Sequence, residues 1–176
     1  MTAQEKLRVV FDCNVLLVAA AKERSAAAAC LWLARSGYVR LFLSKDVLEE
    51  VEDVLNRPKI RQAFNTLTDE LVSSFLERLR EVGEFVRSVP MRFAYPRDKD
   101  DEQYINLAGA VDAHYLLSLD KDLLDLNNGH SVECKEFRQR FRPLKVIKPV
   151  DLLREIAQSR NLTVEELRAE HEQESK

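Results

Sequence analysis

Four carboxylates in this 176-residue sequence stand where apolar runs or helix faces would deliver them: Asp12, Glu50, Asp101 and Asp120, with Asp122 close behind the last. Histidine is not part of the set, because His114, His130 and His171 are scattered without a pairing suited to acid–base catalysis. Like charges brought together repel, so acids gathered in one crevice are costly unless they are partly protonated or hold a cation. Oxygen-only ligands select hard ions, Mg²⁺ or Mn²⁺, over zinc or copper. An ion held in that way suits phosphoryl chemistry, where it neutralises phosphate charge and acidifies a water. Other chemistries lack their signatures: the chain has no P-loop, GxGxxG, GxSxG or Cys/His pattern. Cys13 adjoins Asp12, whose charge discourages a thiolate, and reads as a small buried filler.

Asp12 ends the run Arg8-Val9-Val10-Phe11, whose β-branched and aromatic residues predict a buried strand. In a parallel α/β sheet the ligand crevice opens at the carboxyl ends of strands. Taken alone, Asp12 reads equally well as the cap of the segment Val15 to Ala21. A second apolar run, residues 115 to 119, ends in Asp120-Lys121-Asp122, and two such strands imply a shared acidic crevice. Between them, Ser44 caps a helix closed by Pro58, with Val47, Leu48, Val51, Val54 and Leu55 as its buried stripe. At about 100° per residue, Glu49 points away from that stripe and Glu50 lies on its border. Asp101 precedes Tyr104 and Ile105 on the buried face of the helix that runs to Val111 or Asp112, so its carboxylate is directed inward. Asp98 and Asp100 are then candidates for the outer part of the site, although acids at a helix start also simply complement its dipole.

The remaining elements alternate strand and helix. Ser25 caps a helix running to Arg35 with Gly37 just past its end, residues 39 to 43 form a strand, and Thr68 to Val82 forms an amphipathic helix. Residues 86 to 93 are weakly strand-like, Leu144 to Ile147 form the last strand, and Pro149 opens a helix. Thr163 and Glu166 make a capping box, beyond which the chain is expected to fray from Arg168. The segment from Lys135 to Lys148, with Arg138, Arg140, Arg142 and Lys145, alternates bases with Phe137 and Phe141. Such a mixture suits a phosphate backbone with stacked bases, and equally a solvated helix face. A chain of this length with 45% hydrophobic residues supports one compact core: a main domain over 1–158 and a short charged helix or tail over 159–176. Three cysteines without zinc spacing, and no apolar stretch near the roughly 20 residues of a bilayer span, point to a cytoplasmic protein without a membrane anchor. The net charge of −3 implies no partner by itself.

The segments VVFDCNVLL (9–17), LFLSKDVLEEVEDVLNRPKI (41–60), RDKDDEQYINLA (97–108), AHYLLSLDKDLL (113–124) and VIKPVDLL (146–153), in that order, resemble the PIN domain, in the branch of toxins of toxin–antitoxin pairs. The resemblance implies a three-layer α/β/α sandwich around a central parallel sheet, and a Mg²⁺- or Mn²⁺-dependent ribonuclease acting on single-stranded RNA. It also implies a homodimer and a small antitoxin partner. By position, Asp12 is the first metal ligand with Asn14 supporting it, Glu50 the second acid, Asp101 the third and Asp120 the fourth, with Ser118 and Asp122 beside it. Three residues depart from the family pattern: Cys13 for threonine, Lys99 for proline and Leu119 for glycine, of which Leu119 is bulky enough to narrow the site. Two competing readings are a catalytically weak RNA- or protein-binding module and a phosphohydrolase forming an aspartyl-phosphate on Asp12. A binding module has no use for a costly acid cluster, and Asn14 cannot serve the phosphohydrolase as a general acid.

Overall fold

Val9, Val10 and Phe11 are wholly shielded from solvent, as a strand covered on both faces requires. In the computed structural model, which describes residues 4–176, they belong to the central strand, β1 (Leu7–Phe11). The chain continues through α1 (Cys13–Ala21), α2 (Ala26–Arg35), β2 (Val39–Ser44), α3 (Lys45–Asn56), α4 (Pro58–Ala63), α5 (Asp69–Val82) and β3 (Glu84–Val86). A non-repetitive strap and a 3₁₀ turn (Lys99–Asp101) lead into α6 (Glu102–Ala110) and β4 (Tyr115–Leu117). The rest is α7 (Lys121–Leu124), α8 (Val132–Arg140), β5 (Lys145–Ile147), α9 (Pro149–Ser159) and α10 (Val164–Glu174).

The sheet is parallel throughout, in the order β3-β2-β1-β4-β5, with helices flanking it as an α/β/α sandwich. From β1 the chain builds outward to β2 and β3, then returns to lay β4 and β5 on the opposite side. The order therefore reverses between β1 and β4, the switch point at which open α/β sheets form their ligand crevice. There the register pairs Phe11 with Leu117, so that Asp12 and Ser118 emerge side by side. Helix α6 packs against β1, β2 and β4 and touches α3. It carries Tyr104, Ile105, Leu107 and Ala108 into the core.

Local signals account for most helix starts. Ser25, Ser44, Thr68 and Thr163 each accept a backbone N–H of the helix they cap. Gly37, at φ 79°, ends α2 in the left-handed conformation that glycine adopts at no steric cost. Two expectations are corrected. The strand expected over residues 86–93 is confined to Glu84–Val86, and the chain beyond it has no regular structure. The segment expected to fray from Arg168 is helical to Glu174, because Leu167 is fully buried and the Trp32 indole donates to Glu174 at 2.7 Å.

Candidate metal centre

Asp12 is held from two sides. Its Oδ1 accepts the Val15 N–H at 2.8 Å, capping α1, and its Oδ2 accepts the Ser118 hydroxyl. Capping and site placement, alternatives in the sequence, are realised by one side chain. Burial drives its pKa up to about 6 against the lowering effect of those two hydrogen bonds, and the charges of Asp120 and Glu50 push the same way as burial. The Ser118 Oγ also accepts the Asp120 N–H at 2.9 Å, so one buried hydroxyl joins the acids at the ends of both strands. Asp120 in turn caps α7, its Oδ1 accepting the Asp122 N–H at 2.8 Å.

Three carboxylates converge more closely: oxygens of Asp98, Asp101 and Asp120 all lie within 4.8 Å of one another. Asp98, which the sequence places in the outer part of the site, belongs to this close-set group, while Asp100 is exposed. Asp98 is oriented by the 3₁₀ turn, its Oδ1 accepting the Asp100 N–H at 3.1 Å. The Oδ2 of Asp101 is buried and has no hydrogen-bond partner among the described residues. Desolvation and the neighbouring charges of Asp98, Asp120 and Asp12 push the Asp101 pKa up to about 8.

Glu50 is half-buried at the edge of the group, where its Oε2 accepts the Tyr104 hydroxyl at 2.7 Å and the Gln103 amide. Burial raises its pKa, and Asp100 and Asp98 add to the rise. Glu49 is exposed and reaches Lys45 at 3.5 Å. The Asp122 carboxylate is turned to Arg97, which also reaches Asp125 at 3.4 Å. Asn14 is exposed on the first turn of α1, and Leu119, 48% exposed, projects its bulk toward solvent.

A buried carboxylate oxygen without a donor, beside two further carboxylates, is an arrangement that a cation would complete. All three donors are hard oxygens, and the group fits a hard divalent ion. Compared with protein families, residues 8–122 match the PIN domain. The chain belongs to the PIN domain family. PIN domains are in general metal-dependent nucleases, and the match spans Asp12, Glu50, Asp98, Asp101 and Asp120. Comparison with curated proteins gave no match. Among the described residues no helix is long and apolar enough to cross a membrane.

The PIN acids depend on a set of positioning side chains that sequence reasoning missed. Buried Asn106 accepts the N–H groups of Arg92 and Phe93 at 2.8 and 2.9 Å and donates to the carbonyl of Phe93 at 3.0 Å. Glu102 accepts the Tyr95 N–H at 2.8 Å, and the Tyr95 hydroxyl donates to the Asp122 carbonyl at 2.7 Å. The strap before Asp98 is thus stitched to α6 on one side and to the Asp120 loop on the other. A polar Asn106 inside the apolar stripe from Tyr104 to Ala108 was the available signal.

The basic segment is not brought to the acids as a unit. Lys135 is exposed on α8, and Arg138 donates to the Leu126 carbonyl at 3.1 Å. Phe137 and Phe141 pack on Phe93, with ring centroids 6.2 and 5.7 Å away, so these aromatics serve the core rather than stacked bases. Arg140 and Arg142 lie beside Gly109 and Asp112, past the end of α6 opposite Asp101.

Proposed function

We propose that this PIN domain is a Mg²⁺- or Mn²⁺-dependent endoribonuclease that hydrolyses single-stranded RNA and leaves a 5′-phosphate and a 3′-hydroxyl. The observation that carries the reading is the partnerless, buried Oδ2 of Asp101 beside Asp98 and Asp120. In this reading Asp98, Asp101 and Asp120 hold the ion, and Asp12 and Glu50 complete its acidic surroundings. A bound divalent ion supplies neutralisation of the scissile phosphate and acidification of water. Ser118 keeps the Asp12 and Asp120 carboxylates in register, and Tyr104 with Gln103 holds Glu50 at the rim. Because Asp12 and Asp101 have raised pKa values, both carry protons part of the time at neutral pH, and binding of a cation there would displace those protons. The segments 9–17 and 113–124, which carry the resemblance to toxin members of the family, support a toxin role, with a homodimer and a small antitoxin as its partners.

The test is incubation of labelled mixed-sequence single-stranded RNA with the protein under Mn²⁺, Mg²⁺ or EDTA, with Asp101→Asn alongside. Cleavage that requires the ion and is lost in the variant is the expected result. Binding without cleavage under either ion would overturn it in favour of a binding module.

A further inference from the structure

The end of α6 remote from the acids is closed by a small polar pocket of about 110 Å³ lined by Arg92, Arg140 and Arg142. Arg92 comes from the strap, and the two others from the end of α8 and the turn that follows. Phe141 lies directly on Gly109, where a Cβ would have no room, and so fixes Arg140 and Arg142 against α6. Asp112 is the one acid in the lining, against three arginines. Arg140 also reaches Glu136 at 3.0 Å, and the Arg142 Nε donates to the Arg138 carbonyl at 3.1 Å. The Arg92 guanidinium has no hydrogen-bond or ion-pair partner among the described residues, although its backbone is fixed by Asn106. Arginines that line one pocket and keep unspent donors match the oxygens of a phosphate, which they bind as planar forks.

We propose that this pocket binds a backbone phosphate of the RNA, a few nucleotides away from the scissile bond. The proposal rests on the ribonuclease reading for its ligand. The strap and α6 run alongside each other from the pocket to Asp98 and Asp101, and the eight residues from Asp101 to Gly109 span about 12 Å of helix. An extended strand crossing that distance would place one phosphate on the acid-held ion and another on the arginines. The site would then favour substrates of several nucleotides over dinucleotides.

The test separates the two readings. Binding of a short single-stranded RNA is measured in EDTA across a salt series for the wild type and for an Arg92→Gln, Arg142→Gln double variant. Hydrolysis of bis(p-nitrophenyl) phosphate, too small to reach the pocket, is followed with Mn²⁺. The expected result is roughly tenfold weaker RNA binding in the variant. Its log–log salt slope should flatten by about 0.7, the increment for one single-strand phosphate. Hydrolysis of the small ester should be unchanged. Wild-type affinity and slope in the variant would overturn the phosphate site. Inorganic phosphate that saturates the pocket without displacing RNA would overturn the backbone assignment in favour of a free anion. If wild-type protein hydrolyses neither ester nor RNA under any ion, but the variant still loses RNA affinity, the nuclease reading fails and the phosphate site stands.

Discussion

Ser118 has one hydroxyl, and both strand-end acids depend on it: it donates to Asp12 and accepts from the Asp120 backbone. Ser118→Ala removes a charge-assisted bond inside the core and should cost about 1.5–3 kcal/mol in urea unfolding. Because that bond lowers the Asp12 pKa, a carboxyl titration of the variant should place Asp12 above about 6. The acids also set a pH dependence in the metal-free protein. Asp12 and Asp101 bind protons more tightly in the folded state, at about 6 and about 8, than at their ordinary value of 3.8. Between those limits the folded state holds more protons than the unfolded one, so stability falls as pH rises from about 4 to 8. Melting in EDTA should therefore shift to lower temperature across that range. Mn²⁺ at pH 8 should reverse the shift, whereas Asp101→Asn should melt higher than wild type in EDTA and respond little to Mn²⁺. A melting temperature that rises through the window in EDTA would contradict the repulsive cluster. At this scale the placement of the acids was largely legible. Glu50 was separated from Glu49, and Asp101 from Asp100, by helical angle alone, since both depend on local geometry. Asp98 was assigned too far out, because its place depends on a 3₁₀ turn that periodicity does not signal.

The element that the sequence conceals is the strap between β3 and α6. Its alternating apolar residues Val89, Met91 and Phe93 imitate a strand, yet the N–H groups of Arg92, Phe93 and Tyr95 are satisfied by side chains of α6 rather than by a sheet neighbour. Such pairing is long-range and leaves no period in the chain. The same holds at the other edge of the sheet. Asn127, in a stretch that reads only as a polar loop, accepts the Val146 N–H at 2.9 Å and donates to the Val146 carbonyl at 2.5 Å, taking the place of a neighbouring strand beside β5. By contrast, the serine and threonine caps declared themselves in sequence because a cap is a bond over three residues. Asn106 is therefore the pin of the strap. Asn106→Ala leaves the Arg92 and Phe93 N–H groups without acceptors, and should cost about 2–4 kcal/mol. The loss should be greatest locally: hydrogen exchange in residues 91–98 should accelerate more than in β1 or β4, and the Mn²⁺ response should weaken as Asp98 loses its position. Uniform acceleration over the whole chain would show that Asn106 serves only global stability.

The PIN match ends at residue 122, yet the molecule does not. Beyond it, α8 presses Phe137 into the core, β5 completes the sheet, and α9 and α10 close over α2. The chain from Arg168 was expected to fray because Glu170, Glu172 and Glu174 make it look like a polar tail, and Leu167 just before it is the last large apolar residue. That one leucine is fully buried, and His171 is buried with its ring 5.8 Å from that of Trp32. A helix so attached belongs to the same cooperative unit as the sheet. The chain has a single tryptophan, Trp32, and it touches α10, so its fluorescence reports the docking of this helix while far-UV circular dichroism reports the whole fold. If α10 is integral, the two signals should show coincident transitions in wild type. In Leu167→Ala both should move together, by about 2–4 kcal/mol for a cavity of that kind. Acid should act on the same contact, because burial lowers the His171 pKa below its ordinary 6.5. The unfolded state therefore takes up the proton first, and stability from this residue is lost as pH falls below about 6.5. Its sign is opposite to that of Asp12 and Asp101, so His171→Phe should steepen the gain in stability on acidification in EDTA. A fluorescence transition that precedes the dichroism transition, and alone shifts in Leu167→Ala, would instead make α10 a separable appendage.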